Sequence, residues 1–261
     1  MIPKIIHYCW FGQAPLPPLA EQCIASWKAH MPSWQIMRWD ESNFDIASAP
    51  LYVRQAYEAR KFAFVSDYVR LWALEQYGGV YMDVDFEVFR PFDNLMDKYP
   101  AFAGYEGSKR QPVMMGVLAS EPHGAWVRDM LTTYENRTFY KSPLTGTPSP
   151  VTLEYDLTPN TSYFSDRLEA QGFVADGVEK DFYVKSISNL EEPTFFLHVF
   201  PVHYFCPVLT TGEDVRTPET YCIHRGLGSW NTSSNWRTRI AKHLPPKWRT
   251  RLIKLKRKIF G

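Results

Sequence analysis

The chain has 261 residues, of which 45% are hydrophobic and 16% aromatic, so it can bury a sizeable core in one large domain or two small ones. No stretch approaches the roughly 20 apolar residues that cross a bilayer, and the apolar run within the first ten residues is too short for a signal peptide. The net charge of +1 conceals an uneven distribution of charge along the chain. Residues 1–235 carry 19 basic and 28 acidic side chains, whereas residues 236–261 carry ten lysines and arginines. The acidic charge of residues 1–235 argues against nucleic-acid binding by this part of the chain.

The first third of the chain predicts strands that alternate with helices. Short apolar runs indicate the strands, and apolar side chains at helical spacing indicate the helices. In chain order we expect a strand at 4–10, a helix at 19–30, a strand at 34–39, mostly helical structure over 52–77 and a strand after Gly78-Gly79. The two glycines are a helix stop.

The remaining two thirds predict further strands, one helix and a long loop. We expect strands at 101–105, 113–119, 181–187, 195–200 and 221–225, and a helix near 123–135. Residues 141–163 are rich in Pro, Thr and Ser and predict a loop, a kind of segment that often carries function. The alternation predicts an α/β sheet, whose ligands bind at the carboxyl ends of strands.

A buried strand runs into acidic residues in the segment YGGVYMDVDFEV, residues 77–88. If the strand continued, Asp83, Asp85 and Glu87 would share one face, because side chains alternate along a strand. Neighbouring carboxylates repel and raise the pKa of at least one of them, and a divalent cation such as Mg²⁺ or Mn²⁺ removes that repulsion. The simpler alternative is a strand end with ordinary surface acids.

Three segments together resemble the DXD-containing sugar transferases of glycosyltransferase family 32, a group that includes bacterial capsule and O-antigen transferases. The segments are KIIHYCWFG, FVSDYVRLWALEQYGGVYMDVDFEV and IHRGLGSW. The resemblance covers residues 2–105 and a short motif near 222–230, and it is loose in between. It implies a single α/β domain over residues 1–235 with the Rossmann-like GT-A fold that binds nucleotide sugars.

The same resemblance implies a retaining glycosyltransferase that uses a nucleotide sugar and a divalent metal, Mn²⁺ or Mg²⁺. Asp85 matches a direct metal ligand, and Asp83 matches a residue near the ribose and the metal shell. Asp67 and Arg70 match residues that hold the donor sugar and ribose, and their spacing of three places them on one helix face. A surface ion pair is the alternative for these two.

Other positions match the family at the nucleobase and the diphosphate. Trp10 matches a ring that stacks on the base, with an ordinary core tryptophan as the alternative. His224 matches a residue that completes the metal or diphosphate site, and imidazole is an acceptable Mn²⁺ ligand. Ser229 and Trp230 would meet the phosphates. The intervening RGLG departs from the family pattern and adds Arg225, a further phosphate partner by its chemistry.

One more residue, Glu106, completes the candidate site. Glu106 follows a predicted strand in AGYEG and is a candidate catalytic residue facing the sugar or acceptor, with a surface glutamate in a turn as the alternative. We expect His7 to be structural rather than catalytic. The catalytic candidates are therefore Asp83, Asp85 and Glu106.

Two other classes of protein also fit parts of the pattern. An aspartyl phosphohydrolase uses D-x-D at a strand end, but that class expects the pair after an early strand, often with Thr two residues on, and position 87 is Glu. A non-catalytic carbohydrate-binding module would account for the aromatic content. It would not need Asp67, Arg70, Asp83, Asp85 and His224 together.

The expected reaction moves a hexose or N-acetylhexosamine, from a UDP-sugar in preference to GDP-mannose. The acceptor would be a glycan or lipid-linked oligosaccharide in surface polysaccharide synthesis. Residues 236–261 predict a basic amphipathic helix of the type that lies on anionic membranes. Four scattered cysteines without a C-x-x-C pair fit a reducing cytoplasm. We therefore expect a peripheral enzyme at the inner face of the cytoplasmic membrane.

Overall fold

The computed structural model describes residues 1–107, 112–141, 154–184 and 194–227, and every structural statement refers to these residues. The elements in the first half are β1 (Ile5–Cys9), α1 (Pro18–His30), β2 (Gln35–Trp39), α2 (Leu51–Glu58), α3 (Phe62–Tyr77), β3 (Gly79–Met82), β4 (Phe86–Val88), α4 (Asp93–Lys98) and β5 (Ala101–Gly104). Then follow β6 (Val117–Ser120), α5 (Ala125–Thr132), α6 (Asn160–Ala170), β7 (Lys180–Val184), β8 (Thr194–Phe200), α7 (Val202–Phe205) and β9 (Cys222–His224).

Seven strands form one mixed sheet in the order β2-β1-β3-β6-β5-β8-β7. The first three strands are parallel, β6 is antiparallel to both of its neighbours, and β8 is parallel to β5. The edge strand β7 is antiparallel to β8. Helices separate the parallel strands in the sequence, so the predicted α/β class is confirmed.

The core lies on both faces of this sheet. Along β3, Val80 and Met82 join one hydrophobic cluster while Tyr81 joins the other. This alternation is the two-residue period of a strand. Helices α2, α3, α5 and α6 contribute to the Tyr81 side, and α1, α4 and α7 contribute to the opposite side. A central strand covered on both faces reads as a continuous apolar run, as the sequence of β3 does.

A second, two-stranded sheet begins where β3 ends. Strand β4 pairs with β9 in antiparallel register, with Phe86 opposite His224 and Val88 opposite Cys222. This pairing brings residues that are more than 130 positions apart in the chain to the carboxyl end of β3. The small sheet therefore carries the segment near residue 224 to the D-x-D turn.

The turn before β3 depends on glycine. Gly79 has a φ of +104°, and a Cβ added there would lie 2.6 Å from the carbonyl oxygen of Ile5. Gly78 ends α3 at a φ of +62°. Glycine alone adopts such positive φ angles readily, so the predicted helix stop at this pair is confirmed.

The prediction that residues 52–77 are mostly helical is confirmed, and they form two helices, α2 and α3, separated near Arg60, which has a φ of +55°. Two other predicted boundaries are wrong. The strand expected at 113–119 is confined to Val117–Ser120. Part of the loop expected at 141–163 belongs to α6, which begins at Asn160. The short helices α4 and α7 were not predicted, because four to six residues give too few turns for a helical period.

The strand that leads to the D-x-D pair ends before Asp83, so it does not continue through Asp85 and Glu87. Strand β3 stops at Met82, and the chain turns at Val84-Asp85 before β4 begins. Asp83, Asp85 and Glu87 therefore do not share one strand face. No described helix is long and apolar enough to cross a membrane. The predicted domain boundary at 235 and the basic tail at 236–261 lie outside the described residues.

Candidate active site

The D-x-D turn is fixed by backbone hydrogen bonds from both sheets. The backbone N–H of Asp83 donates to the carbonyl of Gly116 at 2.9 Å, and the N–H of Arg225 donates to the carbonyl of Asp85 at 2.8 Å. Within the turn, the N–H of Phe86 donates to the carbonyl of Asp83 at 3.1 Å. The turn lies at the carboxyl end of β3, as the α/β pattern predicts.

Arg70 connects the helix-borne acid to the first residue of the D-x-D pair. Its Nη2 lies 2.8 Å from Asp67 Oδ1, and its Nη1 lies 3.5 Å from Asp83 Oδ1. The guanidinium also donates to the carbonyl of Met115 and sits over the Tyr81 ring at 4.6 Å. Arg70 is only 5% exposed and Asp67 8%. The surface ion pair considered above is therefore wrong, because this pair is buried.

Burial dominates the electrostatics of the two carboxylates that Arg70 contacts. Burial raises the pKa of Asp67 to about 6, although the Arg70 charge opposes the rise. Burial also raises the pKa of Asp83, with Arg70 lowering it and Asp85 adding to the rise. The Tyr81 hydroxyl donates to Asp83 Oδ1 at 2.8 Å. The side chain of Asp83 is nevertheless 35% exposed, so its carboxylate remains accessible to a ligand.

Asp85 is held by residues from the end of the described chain. Its Oδ2 accepts the backbone N–H of Leu227 at 2.6 Å and lies 3.2 Å from Nε2 of His224. The His224 ring stacks on Phe86 with centroids 4.8 Å apart. Burial lowers the pKa of His224, but the hydrogen bonds and charges of Asp85 and Cys206 together outweigh it, and the pKa rises to about 11. Burial raises the pKa of Asp85, yet the contact with His224 and the Leu227 N–H bring it below its usual value.

Glu106 faces this cluster. It is partly buried, and its carboxylate is hydrogen-bonded to the side chain of Thr161 in the first turn of α6. Burial raises its pKa, and His224 and Arg70 lower it while Asp83 raises it further. Charges act on Glu106 from three site residues, so the surface glutamate considered above does not describe its surroundings.

Two residues at the site were not predicted from the sequence. Thr161 fell in the segment expected to be a loop, and only the α6 geometry brings it to Glu106. Gly116 supports the D-x-D turn so closely that an added Cβ would lie 2.7 Å from the Phe86 ring and 3.1 Å from Asp83 Oδ2. A glycine between an isolated bridge and a strand carries no local signal of such a close approach.

Trp10 stands apart from these contacts. Trp10 is partly buried just beyond β1, where its Nε1 donates to the Ala14 carbonyl at 2.6 Å. Its stacking on a base stays a prediction. Ser229 and Trp230 lie outside the described residues.

His7 is fully buried and structural. Its Nδ1 lies 3.1 Å from the Nε1–H of Trp39, an obligate donor, so Nε2 carries the proton donated to the Gly78 carbonyl at 2.7 Å.

The donor chemistry of the turn fits a divalent metal with few protein ligands. The described residues hold no group of three or more His, Cys, Asp or Glu side chains arranged to bind a metal. They do offer an accessible Asp83 carboxylate and the contacting pair Asp85 and His224. Mg²⁺ and Mn²⁺ take oxygen ligands, and Mg²⁺ sites commonly use one or two protein carboxylates with substrate phosphates.

Comparison with known proteins shows that part of this site lies in a region that resembles a known sequence family. Residues 17–102 match the model described as "Glycosyltransferase sugar-binding region containing DXD motif". The matched region includes Asp67, Arg70, Asp83 and Asp85, and it leaves out Glu106 and His224. The resemblance to DXD-containing glycosyltransferases is thereby confirmed for this part of the chain.

Two curated fungal proteins are similar to part of the chain. "Glucan organizing enzyme 1" of Cryptococcus neoformans var. grubii is 31% identical over 84 residues, 29% of this chain and 23% of that protein. "Inositol phosphoceramide mannosyltransferase 1" of Schizosaccharomyces pombe is 30% identical over 107 residues, 37% of this chain and 32% of that protein. The similarity thus spans 23% and 32% of the length of these two relatives.

Two solved structures also resemble the chain in part. The PaToxG glycosyltransferase matches with a TM-score of 0.41 at 16% identity, over 50% of this chain and 59% of the other. The galactosyltransferase LgtC, in complex with donor and acceptor sugar analogues, matches with a TM-score of 0.32 at 16% identity. That match covers 50% of this chain and 63% of the other.

Proposed function

We propose that this chain, which carries the DXD-containing sugar-binding region of glycosyltransferases over residues 17–102, is a metal-dependent retaining glycosyltransferase. The observation that carries the proposal is the convergence of Asp83 and Asp85 with Arg70, Glu106 and His224 at the carboxyl end of β3. A nucleotide diphosphate leaves the anomeric carbon with negative charge on its β-phosphate. The turn gathers the groups that suit such a leaving group.

The two aspartates would hold the metal that the donor diphosphate needs. Asp85 is the direct ligand in this proposal, and Asp83 reaches the ribose and the metal shell. The bound ion, Mn²⁺ or Mg²⁺, would supply Lewis-acid stabilisation of the charge on the leaving phosphates. His224 lies 3.2 Å from Asp85, which brings its imidazole within reach of the same phosphates.

The buried acid and base of α3 would organise the donor sugar. Arg70 donates hydrogen bonds to Asp67 and to the carbonyls of Met115 and Ser66, and it forms an ion pair with Asp83, so its first role is to hold both carboxylates in place. Asp67 then offers its remaining oxygen to a sugar or ribose hydroxyl. Trp10 would stack on the nucleobase. Ser229 and Trp230 are proposed to approach the phosphates.

Glu106 is the proposed group nearest the sugar and acceptor. Its partial burial and its hydrogen bond with Thr161 fix it beside the D-x-D turn. A carboxylate in this place can accept a hydrogen bond from the attacking hydroxyl or stabilise positive charge on the sugar ring. The donor would be a hexose or N-acetylhexosamine nucleotide, with UDP favoured over GDP.

The substrate classes follow from the family likeness. We propose a glycan or lipid-linked oligosaccharide acceptor in surface polysaccharide synthesis, of the capsule or O-antigen kind. One curated relative is named as a mannosyltransferase, and this name makes GDP-mannose the second donor to test. Nucleic acid has no place in the proposal.

The decisive experiment incubates the purified full-length protein with a panel of UDP- and GDP-sugars, with Mn²⁺ or with EDTA. Slow donor hydrolysis that needs Mn²⁺ and releases free nucleoside diphosphate supports the transferase and identifies the donor. Release of inorganic phosphate instead would favour the aspartyl phosphohydrolase. Sugar binding with no turnover of any donor would favour the carbohydrate-binding module.

The basic tail supports a proposal about location. Trp248, Leu252, Leu255 and Ile259 recur at helical spacing among lysines and arginines, a pattern that favours an anionic membrane surface. The enzyme would then dock at the inner face of the cytoplasmic membrane near a lipid-linked acceptor. Flotation with anionic and neutral liposomes tests this against a protein that ends at Pro245. Equal flotation of the two proteins would remove the membrane role.

A further inference from the structure

We infer that a pocket at the far end of the small sheet is an accessory subsite for a neutral sugar unit of the acceptor, an inference that rests on the proposed glycosyl transfer. The pocket has a volume of about 250 Å³. Residues from α4, α7, β8 and the segments before β7 and β9 line it. Several separate elements thus converge on one cavity that the D-x-D chemistry does not use.

Packed aromatic rings form the floor of the pocket. The Tyr204 ring is nearly parallel to Phe200 at 4.6 Å and to Tyr221 at 5.8 Å between centroids. The Arg90 guanidinium covers the Tyr221 ring at 4.6 Å. The Tyr221 hydroxyl is fixed by Asn94, whose Nδ2 donates to it at 2.8 Å. The floor is therefore held in place before any ligand arrives, which lowers the entropic cost of binding.

The rim of the pocket carries balanced charge. Arg90 and Lys98 contribute two positive groups, and Glu179 and Glu219 contribute two negative groups. Burial raises the pKa of Tyr204, and the charges of Glu179 and Glu219 add to that rise, so both carboxylates act on its hydroxyl. Part of this capacity is already used, since Glu179 lies 3.2 Å from His198 and Glu219 lies 3.6 Å from His203.

This mixture selects a neutral ligand rich in hydroxyl groups. A phosphate would meet two carboxylates, and a cationic ligand would meet Arg90 and Lys98. A sugar hydroxyl, by contrast, can donate to a carboxylate and accept from a guanidinium or an ammonium group. An aromatic floor with a few convergent polar groups is the usual composition of a small-molecule site. The chemical class is therefore an uncharged pyranose.

The pocket is separate from the D-x-D turn but connected to it. Tyr221 lies three residues before His224, and Arg90 lies five residues after Asp85. Extended strands rise about 3.3 Å per residue, so the pocket lies roughly 10–16 Å from the turn along the small sheet. An acceptor of several sugar units could place its reacting end at the turn and a more distant unit in this pocket.

Ligand-observed saturation-transfer NMR tests the inference on the full-length protein. The probes are the methyl pyranosides of glucose, galactose, mannose and N-acetylglucosamine, each measured with and without saturating UDP and Mn²⁺. At least one probe should bind, and UDP with Mn²⁺ should leave its signal unchanged. Glu219→Gln should raise its Kd about tenfold, on the scale of a lost hydrogen bond to a charged group. Tyr204→Phe, which keeps the ring, should raise the Kd about threefold through one neutral hydrogen bond.

Glu213→Gln is the matched control, because Glu213 is an exposed acid outside the pocket, and it should leave binding unchanged. The inference is overturned if no probe binds, if UDP displaces the probe, or if both pocket variants bind it normally. Donor hydrolysis by Glu219→Gln is measured in parallel and should equal that of the wild type. If the wild-type protein hydrolyses no donor, that result counts against the proposed function. The proposed sugar subsite is tested separately, by the NMR binding measurements alone.

Discussion

Asp83 and Asp85 are one residue apart, yet they belong to two clusters with different construction. The inner cluster consists of Asp67, Arg70, Tyr81 and Asp83, and its charged hub, the Arg70 side chain, is 6% exposed. The outer cluster consists of Asp85, Glu87, His224 and Arg225, and the side chains of His224 and Arg225 are 40% and 41% exposed. A motif of two identical residues therefore joins a network around a buried arginine to a network whose cations are exposed, although Asp85 itself is only 6% exposed.

The comparison shows which cluster contributes more to folding stability and which contributes more to the proposed chemistry. The inner cluster is built from α3, β3 and the residue that follows β3, which are adjacent in the chain, and the Arg70 charge lowers the pKa of both of its carboxylates. The outer cluster joins residues near 85 to residues near 224, and water reaches its cations. We expect stability to depend mainly on the inner cluster and the proposed chemistry to depend strongly on Asp85 in the outer one.

The largest expected effect is on folding stability, in the inner cluster. Arg70→Met removes the charge that compensates Asp67 and Asp83, and leaving buried charge unpaired costs roughly 3–5 kcal/mol. The free energy of unfolding from urea titration measures it. Adding Asp67→Asn should recover part of the loss, because it removes one of the uncompensated carboxylates. The matched control is Arg225→Met, which breaks the exposed contact with Glu87 and should cost less than about 1 kcal/mol. Equal losses in Arg70→Met and Arg225→Met would contradict the comparison.

The second expected effect is on activity, in the outer cluster. Asp85→Asn keeps the shape of the side chain and removes one ligand charge, so donor hydrolysis at saturating Mn²⁺ should fall at least about 100-fold. Folding should survive, as judged by circular dichroism. Glu87→Gln is the control, because Glu87 pairs with Arg225 rather than lying beside the two aspartates. Its rate should stay within about threefold of the wild type, as for a surface change. Near-normal turnover in Asp85→Asn would overturn the metal assignment.

The third expected effect is on nucleotide affinity, at the proposed binding site of the donor's nucleobase. Trp10→Ala should weaken UDP binding by roughly 1–3 kcal/mol if the ring stacks on the base. Isothermal titration with UDP and Mn²⁺ measures the change. Trp34→Phe is a control on the same side of the sheet, since Trp34 is 6% exposed and belongs to the core. If Trp10→Ala binds UDP like the wild type, Trp10 is a packing residue.

The smallest expected effect is a pH dependence of folding stability that comes from the buried His7, which contacts Gly78 at the end of α3. Burial lowers the pKa of His7 from 6.5 to about 4 in the folded protein. As pH falls below 6.5, the unfolded chain takes up a proton that the folded chain refuses, so stability falls. The His7 contribution between pH 7.5 and 5.5 is roughly 1.3 kcal/mol. Urea titrations at both pH values should show a smaller decline in His7→Gln, and an identical decline would contradict the assignment.

The inner cluster could be predicted from the sequence to a large extent. The spacing of Asp67 and Arg70 places them on one face of α3, and the D-x-D pair follows the buried run of β3 in the chain. Local periodicity predicts which side chains share a face of an element, because these residues are close in sequence. The burial of the ion pair was not predictable, because it depends on Met115 and Tyr81 covering the guanidinium.

By itself the sequence determined the α/β class, the strand that leads to Asp83 and Asp85, and the resemblance confirmed over residues 17–102. Only the tertiary structure decided that the strand ends at Met82, that Glu87 turns to Arg225 and that Glu106 meets Thr161. The reason is that local patterns record which face of an element is apolar, whereas the partners of a polar side chain come from distant segments. Their positions are fixed by sheet register and packing, which no local window contains.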